Sequence, residues 1–135
     1  MKQTIFILLL SFVLLLSGCS AGKVSTAQKI IGDSLMFTQA EIEDAMDVAI
    51  SYFKAEFEGC TLLEMEYDET HSLRFFEEWA QTYGAEEGIV LLSSFSVDDK
   101  GGDGSFTPGD TYHNWQWVLV RSDCGEWELK TWGYG

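Results

Sequence analysis

The chain predicts an α+β domain, a curved antiparallel sheet of about four strands packed against two helices in the order helix, strand, helix, strand, strand, strand. Three observations predict it. Two segments carry apolar residues at spacings of three and four, and each is followed by a glycine. Four other segments alternate apolar and polar positions, and the last two lie back to back around Ser122–Gly125. Strands that bunch towards one end of the chain exclude the strict alternation of a parallel sheet.

The first helix is announced by its start. Phe37-Thr38-Gln39-Ala40-Glu41-Ile42 has the form of a capping box, with Thr38 as N-cap, Glu41 at N3, and Phe37 stapled to Ile42. Behind it Ile42, Ala45, Met46, Ala49, Phe53 and Phe57 form one apolar stripe, and Gly59 is placed to end the helix at C′. Residues 60–67 alternate as a strand, with Leu62 or Leu63, Met65 and Tyr67 half buried. A second helix is expected from about Thr70 to Tyr83, where Leu73, Phe76, Ala80 and Tyr83 share a face and Gly84 supplies the stop. Ile89, Leu91, Phe95 and Val97 mark the buried face of the next strand, while Ser93, Ser94 and Ser96 suggest nearby water.

Asp98–Asp110 holds four of the 13 glycines and the single proline, and reads as a loop. Its residues from Asp99 to Asp110 fit a calcium-binding EF-hand frame at positions 1, 5, 6 and 12. Gly101 offers no oxygen at position 3, and Asp110 is shorter than the usual bidentate glutamate, so a solvated turn-rich loop with no metal is expected. Residues 111–121 and 126–134 then form a hairpin. Two registers compete. With Gly125 as the left-handed residue of a three-residue loop, His113, Trp115, Trp117, Leu119 and Arg121 share a face with Trp127 and Leu129. A two-residue loop at Cys124-Gly125 would pair Trp117 with Trp132 instead. The first is preferred because it gathers the apolar side chains on one side.

The chain of 135 residues begins with a targeting segment. Lys2 is the only charge before an apolar run from Ile5 to Leu16, which matches a secretory h-region and falls short of the roughly 20 residues of a spanning helix. The run ends in Leu16-Ser17-Gly18-Cys19, which resembles the bacterial lipobox. The resemblance implies a cut before Cys19 and a lipid on its sulfur, and two acyl chains make a stable anchor where one is marginal. The expected organisation is therefore a signal peptide at 1–18, a lipidated N-terminus and flexible tether at 19–36, and one domain at 37–135. The expected place is the extracytoplasmic face of the cell membrane.

Loss of residues 1–18 removes Lys2 from 8 basic residues set against 22 acidic ones, leaving a formal charge of −15. Such a surface repels phosphate backbones and anionic headgroups, which argues against nucleic acid and against electrostatic docking on lipid. Cys60 and Cys124 are the cysteines left after Cys19, and in an oxidising compartment they could form one disulfide or stand as two thiols. No zinc, redox or nucleophile-elbow motif occurs, so no catalytic residue and no cofactor is assigned.

The Thr38 helix, Gly59-Cys60 running into Tyr67-Asp68, Asp103-Gly104-Ser105, and the hairpin from Trp115-Gln116-Trp117 to Gly133-Tyr134 carry a resemblance. They make the chain similar to nuclear-transport-factor-2-like or cystatin-like domains, and more narrowly to small lipoproteins of Gram-positive gut bacteria that carry a domain of unknown function. The resemblance implies a fold and a location but no reaction. His113, Trp115, Trp117 and Arg121, on one expected strand face, are the candidate ligand-binding residues, with a cell-wall fragment or a protein as the expected ligand. Tryptophans opposite two amphipathic helices also fill cores, and strand-end His113 and Arg121 also pair with solvent or a nearby acid. His71, beside Asp68 and Glu69, fits a solvated histidine in a first turn. A non-catalytic binding or interaction domain is the leading expectation, ahead of a small pocket enzyme of nuclear-transport-factor-2-like type and of a structural accessory subunit of an envelope complex.

Overall fold

A computed structural model describes residues 21–134 of the chain. The expected signal peptide at 1–18, Cys19, Ser20 and Gly135 lie outside the described residues. The elements run β1 (Gln28–Ile31), α1 (Gln39–Glu56), β2 (Cys60–Tyr67), α2 (Glu69–Leu73), α3 (Phe76–Thr82), β3 (Glu87–Val97), β4 (Thr111–Arg121) and β5 (Glu128–Gly133). The class is α+β. The five strands form one open sheet in chain order, with β1 parallel to β2 and every later pair antiparallel. Among the described residues no helix is long and apolar enough to cross a membrane.

The capping box forms as its sequence requires: Thr38 Oγ1 accepts from Glu41 N–H at 3.2 Å and Glu41 Oε2 accepts from Thr38 N–H at 2.7 Å. Such a cap is worth about 1 kcal/mol to helix stability. The stripe Ile42, Ala45, Met46, Ala49 and Phe53 is buried against the inward side chains of the sheet: Cys60, Leu62, Met65 and Tyr67 of β2, Ile89, Leu91, Phe95 and Val97 of β3, and Trp117 and Leu119 of β4. The helix ends at Glu56 with Phe57 as C-cap, one residue earlier than a C′ glycine at position 59 would set it, and Gly59 at φ 73° turns the chain into β2.

The expected count of four strands and two helices is corrected at two places. The stretch expected to be a flexible tether supplies β1, hydrogen-bonded along β2 from Gln28↔Glu64 to Ile31↔Tyr67. Upstream, Lys23 N–H donates to the Cys60 carbonyl and Leu62 N–H donates to the Lys23 carbonyl, both within 2.9 Å. An edge strand held by backbone pairing, with its side chains mostly exposed, leaves no period-two pattern to detect.

The expected single helix over 70–83 is two. Ser72 is buried, and its Oγ accepts Val90 N–H at 3.1 Å, where β3 has run past the last β2 partner at Leu92. The second half crosses β3 at Gly88, where an added Cβ would lie 2.8 Å from the Phe76 carbonyl. The break at Arg74–Phe75 falls between these two points of attachment. Val90, Val118, Val120 and Ala80 are buried on this second face of the sheet, so α3 covers a small cluster opposite the main core.

The hairpin contains both competing registers. Next to the turn, Leu119 pairs with Leu129, as the three-residue loop requires; past a bulge, Trp117 pairs with Trp132, as the two-residue loop requires. The turn residues differ from the expectation. Asp123 and Cys124, at φ 57° and 53°, are the left-handed positions, and Gly125 N–H closes the turn on the Ser122 carbonyl at 2.9 Å. This is the type I′ pattern that matches strand twist. Gly125 is required for space, since a Cβ there would meet the Ser122 carbonyl at 2.9 Å.

Candidate functional site

The four candidate ligand residues do not share one surface. Trp117 is wholly buried, and its Nε1–H donates to Ser93 Oγ at 2.7 Å. Ser93, expected to signal water, is the partner that lets an indole sit in an apolar core without an unmet donor. Arg121 is 8% exposed and already engaged. Its Nη2 lies 2.8 Å from Glu41 Oε1 and 2.9 Å from Glu87 Oε2, and its guanidinium sits 4.3 Å from the Trp127 ring centroid. The hydrogen bond from Arg121 holds the Glu41 carboxyl below the ordinary range. An incoming anion would have to displace two carboxylates.

His113 faces the other side of the sheet. A register shift lies between Ser93↔Trp115 and Phe95↔Tyr112, and Asn114 takes φ 55° within it. The extra residue puts Tyr112 on the core face in place of His113, whose exposed ring has Nδ1 3.2 Å from Ser94 Oγ. A single bulge thereby separates the histidine from the tryptophans.

The two cysteines are separate thiols. Cys60 pairs with Val97 at one end of β3, whereas Cys124 follows Arg121, the partner of Glu87 at the other end. Ten strand steps separate those ends, roughly 33 Å, against the 7 Å limit for a bridge. Burial, followed by the charges of Asp98 and Asp103, pushes the Cys60 thiol up to about 11. The loop over 98–110 is organised on Asp98, whose Oδ1 accepts from Lys100 and Gly102 N–H while its carbonyl accepts from Gly101 and Gly109 N–H.

Trp115 is the one of the four that lines an aromatic recess. A cleft of about 420 Å³ opens between the C-terminal half of α1, the 98–110 loop and the β4–β5 hairpin. Its walls are Tyr52, Phe57, Phe106, Trp115 and Trp132, and its polar rim is Glu56, Asp103 and Ser105. The Tyr52 and Trp132 rings lie 4.4 Å apart between centroids, and Trp132 stacks on buried Trp117 at 6.4 Å. Beside them Tyr134 stands 5.2 Å from Trp115 and 6.1 Å from Tyr112. Trp132 is 39% exposed and Tyr134 62%. The Trp115 Nε1–H is buried without a hydrogen-bond partner.

The bulge in the hairpin makes this cleft. It carries Trp132 onto the core-side face beside Trp117, where a uniform three-residue-loop register would pair Trp117 with Thr131. Tyr52, Phe106 and Trp132 were not among the sequence candidates. One signal could have found Phe106, the lone aromatic in a loop otherwise made of small and polar residues. Tyr52 lies one position off the α1 stripe, so periodicity assigns it to the flank.

Both ionisable groups on the cleft rim are acids. Hydrogen bonds from the Ser105 side chain, then its backbone, hold the Asp103 carboxyl below its ordinary range. Flat aromatic walls with an anionic rim suit a neutral polyol face or a cationic group and repel anions. A wider depression of about 750 Å³ beside Arg121 is bordered by Glu41, Asp44, Asp47 and Glu126, and its one base is the Arg121 already held. No family model, curated protein or solved structure matches this chain.

Proposed function

We propose that this chain is a lipoprotein held on the extracytoplasmic face of the membrane through Cys19, and that its domain is a non-catalytic binding module. The aromatic cleft takes the ligand, a neutral saccharide or a peptide with a cationic side chain drawn from the cell wall or from an envelope protein. The single observation that carries the binding role is the pair Tyr52 and Trp132, closely packed yet open to the cleft with Glu56 and Asp103 beside them. A buried Trp117 behind Trp132 fixes the exposed ring without the entropy cost of ordering it on binding. The anchor is supported by the apolar run and Leu16-Ser17-Gly18-Cys19. A non-catalytic role is favoured because His113 and Arg121, the groups best suited to acid, base or anion chemistry, lie away from the cleft. One long helix laid on a mainly antiparallel sheet supports a cystatin-like kinship, from which the parallel β1 is a departure.

Titration of the soluble domain with N-acetylglucosamine oligomers and with lysine-containing cell-wall peptides, read by tryptophan fluorescence, tests the cleft. Trp132→Ala should abolish the response while the melting temperature stays within a few degrees. A response that survives Trp132→Ala, or none from either probe class, would refute the assignment. Metabolic labelling with an alkyne fatty acid should mark the full chain and not Cys19→Ala.

A further inference from the structure

The described chain is locked to the domain from Gly22 onward. Gly22 N–H donates to the Lys54 carbonyl at 2.9 Å, and a Cβ at Gly22 would lie 2.4 Å from the Phe53 carbonyl, so the backbone is pressed onto the end of α1. Lys23 then bridges Thr61 and joins a row across the sheet, Lys23–Thr61–Ser96–Thr111. Three peptide links separate Gly22 from Cys19. Whatever conformation they take, they reach roughly 10 Å.

We propose that the domain stands directly on the lipid headgroup layer, without a tether, on the end formed by Gly22–Lys23, the α1 C-terminus and the 98–105 loop. The inference rests on the proposed lipid at Cys19. The occupant of this end is the bilayer surface itself, and covalent reach enforces the contact. Charge attraction plays no part, since Lys23 and Lys100 here lie with Glu58 and Asp98, and Glu56 and Asp103 add to the acids of this end. Asp103, Ser105 and Phe106 place the aromatic cleft at this same end, and Tyr134 packs on Tyr112 one residue from the Thr111 row. The loop-side rim of the cleft therefore lies close to the headgroups, where uncharged Tyr134 suits the interface, while Trp132, level with Leu91 through Trp117, sits five β3 positions further from it. The ligand of the cleft is one presented at the membrane surface. The turn carrying Cys124 is at the far end of β3 and β4, roughly 30 Å away along the strands.

The test uses the full lipidated chain in phosphatidylcholine vesicles that carry a nickel-chelating headgroup lipid. A nitroxide is placed at the native Cys124, or at position 100 in the Lys100→Cys, Cys124→Ser variant. Relaxation enhancement should be several-fold greater at position 100 than at position 124, and a long glycine-serine insert after Ser20 should remove the difference. Equal enhancement at both positions, or a greater one at 124, overturns the orientation. A chain that fails to partition into vesicles refutes the anchor, and with it the orientation, by a readout independent of relaxation.

Discussion

Arg121 and Glu41, 80 positions apart, meet at 2.8 Å and tie the last residue of β4 to the first turn of α1. The same Glu41 side chain closes the capping box on Thr38, and its backbone carbonyl accepts the Trp127 indole N–H at 3.0 Å. One residue therefore joins the helix start, the central hairpin and the turn that follows it.

Because the Glu41 carboxyl is held below its ordinary value of 4.5, chiefly by the Arg121 hydrogen bond, its stabilisation is present above that value. The stabilisation is lost as pH falls through the lower folded-state pKa. Arg121→Met should lower the urea midpoint at neutral pH and flatten the acid limb. Midpoints of both proteins followed down to about pH 2 should converge; a gap that stays constant with pH would show that Arg121 acts through packing on Trp127 alone.

Trp117 and Trp132 are stacked neighbours with opposite expected costs of removal. Trp117→Ala empties a fully buried site and strands the Ser93 hydroxyl, so a loss of about 3–5 kcal/mol is expected. Chemical denaturation reads it, and a stable Trp117→Ala protein would contradict the core assignment.

Asn114 at φ 55° holds the bulge that puts Tyr112 inward and His113 outward. Asn114→Val should cost about 1–2 kcal/mol, the penalty of a side chain with a Cβ branch in a left-handed position, while Asn114→Gly is tolerated. Thermal melts of the two variants should differ by that margin.

Thiol titration of the soluble domain from Ser20 should find one fast-reacting group in the native protein and two after denaturation. Cys124 is exposed in its turn, whereas Cys60 is buried with its pKa raised to about 11. Reactivity that appears only after reduction would demand a disulfide and a different placement of one strand end.

The sequence by itself determined those features whose cause is local. Thr38 and Glu41 set the start of α1 through three-residue spacing, the α1 stripe faced the sheet, and odd positions of β3 faced the core, because side-chain periodicity is written into the backbone geometry of each element. The proposed signal peptide and lipid-bearing Cys19 rest in the same way on a run and a short motif. The tertiary structure decided everything that depends on backbone pairing between distant segments. Strand β1 owes its place to hydrogen bonds with β2, and its exposed side chains announce nothing. Two of the three register shifts in the sheet, at Asn114 and between the Leu119↔Leu129 and Trp117↔Trp132 pairs, each reverse the facing of the residues beyond them. One shifted residue in a period of two exchanges inside for outside, which is why His113 left the tryptophan face and Trp132 joined it to make the cleft.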